Sequence, residues 1–171
     1  MKFLIRTRYQ GRLFYLRSKG EDMYIEEELY SKFVELMPIA CIDVLIHDDD
    51  GNILLVKRNQ EPAKDKWWVI GGRLLKEETM LDGAVRKAKE EVGLDVKVEK
   101  LIGVYDEFFD TSIQGYPTHT VCVAFLARAD NLLKADVDYT CDGFKIVKDI
   151  DDSYDPYLVR VVKDGGILER K

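Results

Sequence analysis

The residues best suited to chemistry lie between Gly71 and Leu94, in the stretch GGRLLKEETMLDGAVRKAKEEVGL. Adjacent glycines let a backbone approach a ligand or turn sharply without steric cost. An acid-rich segment then runs from Glu77 to Val92 and closes on Gly93, a residue favoured just past a helix end. Its three- and four-residue apolar steps predict a helix whose core stripe is Leu81, Ala84, Val85, Ala88 and Val92. Glu78, Asp82, Arg86 and Glu90 follow one another at four-residue spacing, and Glu90 and Glu91 leave the last turn side by side. The unit is a loop running into a helix that presents carboxylate oxygens, the ligands preferred by hard divalent cations.

The spacing resembles the Nudix box, G-x5-E-x7-R-E-U-x-E-E-x-G-U with U aliphatic: Gly72, Glu78, Arg86, Ala88, Glu90, Glu91, Gly93 and Leu94 are all in register. One position departs from it. Lys87 stands where the pattern has its first acid after the arginine, on the helix face shared by Glu90 and Glu91. Three carboxylates there would suit two or three metal ions, and an ammonium works against that. At about 5 Å and an effective dielectric of about 20, each unit-charge pair is worth roughly 3 kcal/mol. The expectation is therefore a single Mg²⁺ or Mn²⁺. Read without the box, the same segment is a solvated acidic helix with ordinary ion pairs.

These residues need a scaffold, and the rest of the chain has the means to supply one. The 171 residues are 46% hydrophobic and 34% charged, fitting one globular domain with appendages. A net charge of −6 argues against a nucleic-acid polymer as partner, while a small phosphate ligand stays open because metal and local arginines can neutralise it. Cys41, Cys122 and Cys141 are odd in number and suggest reduced thiols and a cytoplasmic setting. MKFLIRTRYQ is broken by charges too early for a signal peptide, and no apolar run approaches membrane-spanning length.

Lys2 to Arg17 alternates around Tyr9-Gln10-Gly11 and predicts a β-hairpin; Asp22 to Leu36, with Ile25, Leu29, Phe33 and Leu36 in step, predicts a helix. Residues 1–36 thus form an extension suited to packing or homodimerisation, ahead of a catalytic domain at 37–171. Ile39 to His47 and Ile53 to Lys57 predict strands around the Asp48-Asp49-Asp50-Gly51-Asn52 turn, a solvated turn that lacks calcium-loop spacing. Arg58 follows directly, then a polar loop to Lys66 and Trp67-Trp68-Val69-Ile70. Later strands are expected at Val96 to Tyr105, His119 to Ala127 and Phe144 to Val147, separated by loops at Phe108 to Thr118 and Asn131 to Asp142. A last helix is expected between Asp151 and Gly165. This order gives an α/β fold, a Nudix-type α/β/α sandwich on a mixed sheet plus the N-terminal hairpin and helix.

Within the superfamily the chain is most similar to GDP-mannose mannosyl hydrolases, through LVKRNQEPAKDKWWVIGGRLLKEET, GVYDEFFD and THTVCVAF. That resemblance implies hydrolysis of a nucleotide sugar, such as GDP-mannose or GDP-glucose, to GDP and hexose by water attack at the anomeric carbon. It further implies a metal held by the main-chain carbonyl of Gly71 and by Glu91, with Glu90 as helper. Arg58 and Arg73 would meet the diphosphate, for which paired guanidinium donors are well shaped. Asp43 matches an acidic position near the sugar or nucleotide, and as a lone strand acid it equally suits a hydrogen-bonded structural place. Glu78 and Arg86 are expected, with Gly72, to hold the loop onto the helix.

The general base of those hydrolases is a loop histidine before the last strand, and Thr140 and Cys141 align there. His47 and His119 both sit in strand-like segments. Asp138 and Asp142 are the candidates left in that loop to activate water. Two other readings stay open: a Nudix pyrophosphohydrolase attacking phosphorus, and a nucleotide-sensing Nudix domain without turnover.

Overall fold

A computed structural model describes the backbone of Arg8–Tyr9 and Arg12–Leu13 and all of residues 25–167. The first two segments, β1 and β2, pair antiparallel with Tyr9 opposite Arg12. The remainder of the expected Lys2–Arg17 hairpin, including Gln10 and Gly11, lies outside the described residues.

A seven-stranded mixed sheet forms the centre. Its middle strand is β3 (Ile39–His47), which runs parallel to β8 (Thr118–Arg128). On its other side β3 is shared. Its first half pairs with β6 (Ile70–Arg73) and its end with β4 (Ile53–Arg58). β4 then runs between β5 (Trp67–Trp68) and β9 (Cys141–Val147), and β7 (Lys97–Phe109) closes the far edge against β8.

Both faces of β3 are covered, which is why the strand reads as nearly continuous apolar sequence. Ile42, Val44 and Ile46 face α2 (Met80–Val92) through Ala84, Ala88 and Val92. Cys41 and Leu45 face α3 (Pro156–Gly165) through Tyr157, Leu158, Val161 and Val162. The α/β/α order expected from the sequence is therefore present. All three cysteines are buried free thiols. Among the described residues no helix is long and apolar enough to cross a membrane.

Several local expectations are corrected. The box helix begins at Met80, not Glu77, because Thr79 caps it by accepting the Asp82 N–H at 3.1 Å; it ends at Gly93 with φ 70°. Leu81 and Val85 are 55% and 43% exposed, while Gly83, Ala84, Lys87, Ala88, Glu91 and Val92 are buried. Close approach explains this better than hydrophobicity. A Cβ added at Gly83 would lie 3.3 Å from Ile42 Cγ1 and 3.2 Å from Glu78 Oε2, so small residues mark the packed side. In the N-terminal helix α1 (Glu27–Leu36) the buried residue is Val34, and Leu29 and Leu36 are exposed. Residues 22–24, the expected start of that helix, lie outside the described residues.

β7 continues to Phe109 through two register irregularities, so the loop before β8 is shorter than expected. β9 starts at Cys141, which moves Cys141 and Asp142 from the predicted loop onto a strand. The triple-aspartate turn is closed by Asp48, whose carboxylate accepts from the N–H groups of Asp50 and Asn52 and from Asn52 Nδ2.

Candidate functional site

The loop from β6 into α2 is fastened by a buried clamp. Arg86 Nε donates to Glu78 Oε1 at 2.7 Å and Nη2 to Oε2 at 2.9 Å. Glu78 Oε2 also accepts the Leu75 N–H at 3.1 Å, and Arg86 Nη2 reaches the Arg73 carbonyl at 3.1 Å. Arg86 Nη1 holds Glu90 at 2.8 Å. One guanidinium thus ties the loop, the helix start and the first of the paired acids together.

Glu91 is held separately. Lys87 Nζ forms an ion pair with Glu91 Oε1, and Glu91 Oε2 accepts the Gly71 N–H at 3.3 Å. Gly71 pairs with Asp43 on β3, and a Cβ added there would fall 1.9 Å from Asp43 Oδ1 and 2.8 Å from the Ile42 carbonyl. No side chain fits, so glycine is required by packing. A Cβ at Gly72 would meet Lys87 Cε at 3.0 Å.

Asp43 is 5% exposed, and Oδ2 accepts a short hydrogen bond from the Tyr157 hydroxyl. Burial pushes its carboxyl up to about 6, against the pull of Tyr157, Cys122 and the nearby Arg58; Glu91 pushes the same way as burial. Burial likewise raises the Cys141 thiol to about 11, with Arg58 lowering it and Glu91 and Asp138 raising it. Arg58 and Glu91 therefore act electrostatically on both Asp43 and Cys141. Arg58 is oriented by its Nε donating to the Pro62 carbonyl at 2.7 Å.

A model of the NUDIX domain family matches residues 37–148 of this sequence. The chain belongs to the Nudix hydrolase family. This Nudix chain is 35% identical over 109 residues to the low-salt glycan biosynthesis protein Agl8 of Haloferax volcanii, spanning 63% of its own length and 69% of Agl8. It is 41% identical over 70 residues to an ADP-ribose pyrophosphatase of Methanocaldococcus jannaschii, 41% of each chain. Among solved structures, a MutT NUDIX hydrolase from Burkholderia pseudomallei superposes with TM-score 0.63 at 21% identity, covering 75% of this chain and 98% of that one. At that identity the likeness speaks for the fold.

Within the Nudix chain the remaining candidates are spread out. Arg73 is exposed, and its guanidinium carbon stacks 4.2 Å from the ring centre of Tyr30 on α1. The Asp138 N–H donates to the Glu91 carbonyl at 2.8 Å, and Asp138 Oδ1 accepts the N–H and hydroxyl of Thr140. Asp142 is an exposed strand residue whose Oδ1 accepts from Asn59 Nδ2 at 3.2 Å. His47 bonds Glu99 at 3.0 Å and His119 bonds Asp106 at 3.0 Å, so both have structural partners on β7.

Two side chains around the site escape sequence reasoning. Tyr157 reads as part of a core stripe, and Tyr30 belongs to no pattern at all. The Lys87–Glu91 contact is legible only as a four-residue spacing, which is nonetheless a usable signal on a helix.

The donor set bears on which metal could bind. Among the described residues no group of three or more His, Cys, Asp or Glu side chains is placed to hold an ion. By donor chemistry, Glu91, Glu90 and the Gly71 carbonyl are hard oxygens of the kind that could hold one divalent cation completed by water and ligand oxygens.

Proposed function

We propose that this Nudix chain is a Mg²⁺- or Mn²⁺-dependent hydrolase of a nucleoside diphosphate sugar, with GDP-mannose or GDP-glucose as model substrate and GDP plus hexose as products. The observation that carries the reading is the joining of Glu91 to Gly71 beside Arg58 and Asp43. A carboxylate and a bare glycine backbone meet there, and a guanidinium lies within electrostatic reach of Asp43 next to them, the groups a metal-bound diphosphate needs. The likeness to Agl8, a glycan biosynthesis protein by name, supports a sugar-bearing substrate.

Gly71 and Glu91 would hold the ion with Glu90 assisting, and the ion would draw off negative charge from the diphosphate as the bond to the sugar breaks. Arg58 and Arg73 would add charge-assisted hydrogen bonds to phosphate oxygens where that charge develops. Asp43 would keep the backbone at Gly71 fixed and lie near the sugar or nucleotide. Water attacks the anomeric carbon on this reading, and Asp138, beside Glu91, would take its proton.

The match to an ADP-ribose pyrophosphatase favours a second reading, attack at phosphorus of the same substrate class. Hydrolysis in heavy-oxygen water separates the two. The first predicts GDP and labelled hexose; the second predicts a nucleoside monophosphate and hexose phosphate, with label on phosphorus. Nucleotide binding without turnover under Mg²⁺ or Mn²⁺ would instead mark a sensing domain.

A further inference from the structure

We propose that the Lys87 ammonium is the built-in occupant of the cation site: it holds Glu91 when no ion is bound, exchanges places with a divalent ion there, and then serves as a second positive charge against the bound diphosphate. This rests on the metal-dependent reading above and deepens it.

Three observations converge on Lys87. Its ion pair with Glu91 is shielded, the two side chains being 10% and 8% exposed. Surface pairs form freely and mean little, whereas a shielded pair costs desolvation and has to be built. Next, the stem of Lys87 runs along Gly72, where an added Cβ would lie 3.0 Å from Cε and 3.1 Å from Nζ. The amine is thereby led to the glycine bend rather than out to solvent. Last, Arg86 is bound to Glu78 and Glu90, while Lys87 is bound to the Glu91 oxygen that does not accept from Gly71.

The charge balance sets the direction of the exchange. Glu78, Glu90 and Glu91 against Arg86 and Lys87 leave one net negative charge. One divalent ion reverses that sign, which suits a diphosphate. Once Glu91 has the ion, the ammonium beside Gly72 faces two like charges unless it turns to phosphate oxygens, for which a compact three-donor head is well suited. Lys87 then neutralises charge that a second metal would neutralise in a site with three carboxylates.

The test is Mn²⁺ titration of the full chain, following free ion by electron paramagnetic resonance, with thermal melts alongside. Wild type, Lys87→Met and Lys87→Glu are compared without substrate. Wild type should take one ion per site; K87M should bind it at least about tenfold more tightly, and K87E should take two. With Mn²⁺ present, GDP should bind K87M about tenfold more weakly than wild type. Variants that melt early but are restored by Mn²⁺ report the same exchange. Unchanged ion and GDP affinities in K87M, or early melting that Mn²⁺ does not restore, would overturn the role of Lys87. If Glu91→Gln binds Mn²⁺ as wild type does, the metal-site reading itself fails, which is a separate outcome.

Discussion

The Tyr157 hydroxyl on α3 donates to Asp43 Oδ2 on β3, and the other oxygen of that carboxyl fills the space where Gly71 would carry a side chain. The helix on one face of the sheet is thereby wired to the glycine bend. Asp43 is buried enough that its carboxyl titrates near pH 6 rather than 3.8. The folded state thus holds the proton more tightly than the unfolded chain, so this group's stabilisation is full below pH 3.8 and is lost as pH rises through about 6. In metal-free protein, going from about pH 5 to about pH 7 should cost roughly 1 kcal/mol through this residue. Asp43→Asn should flatten that part of the stability profile in urea melts. An unchanged slope would mean that other groups set it.

The Glu78–Arg86 clamp is expected to be structural. The Glu78 side chain has no exposure and that of Arg86 is 14% exposed. Arg86→Ala leaves a buried carboxylate with its main cation gone, so stability should fall by about 3 kcal/mol. Glu78→Gln keeps the shape, removes the charge and should cost less. Chemical denaturation of both variants measures the difference, and equal losses would show that shape rather than charge holds the loop.

Much of the fold was legible because periodicity carries it. The β3 run, the box helix and the Gly93 stop follow from spacing and capping. The side of α2 that packs was not, since Leu81 and Val85 are more apolar than Gly83 and Ala84 yet stay exposed. Helix-to-sheet distance, a tertiary property, chose the smaller residues. The site divides the same way. Box spacing placed Arg86, Glu90 and Glu91 on one helix with Glu78 in the loop before it, but Tyr157 is 114 residues from Asp43 and Tyr30 sits in a segment with no catalytic pattern. Long-range partners leave no local trace. The start of β9 shifted because pairing with β4 extends to Arg58 opposite Cys141, a register with no local signature in the sequence.

On the proposed reading, in which Arg73 meets the diphosphate, Tyr30 gives the N-terminal helix a stake in the site. Its ring lies 4.2 Å from the Arg73 guanidinium carbon, and burial raises its hydroxyl while Arg73 pulls it back down. A cation–π contact of about 1 kcal/mol orients the arginine before substrate arrives. Tyr30→Ala should raise KM for the nucleotide sugar about fivefold with little change in kcat, and Tyr30→Phe should restore it. A fall in kcat at constant KM would instead assign Arg73 to the transition state.

Asp138 and Asp142 can be told apart as proton acceptors. The Asp138 main chain is tied to the main-chain carbonyl of Glu91, the proposed metal ligand, whereas Asp142 faces solvent and meets Asn59. Proximity to the reacting water has to come first for a general base. Asp138→Asn is a clean probe, because its side-chain oxygen still accepts from Thr140 and the turn into β9 survives. We expect kcat to drop at least about a hundredfold in D138N with an unchanged melting temperature, and to stay within about tenfold of wild type in D142N. Steady-state kinetics on GDP-mannose with Mg²⁺ would measure both. Full turnover in D138N would remove Asp138 from the chemistry and leave it as the residue that shapes the turn beside Glu91.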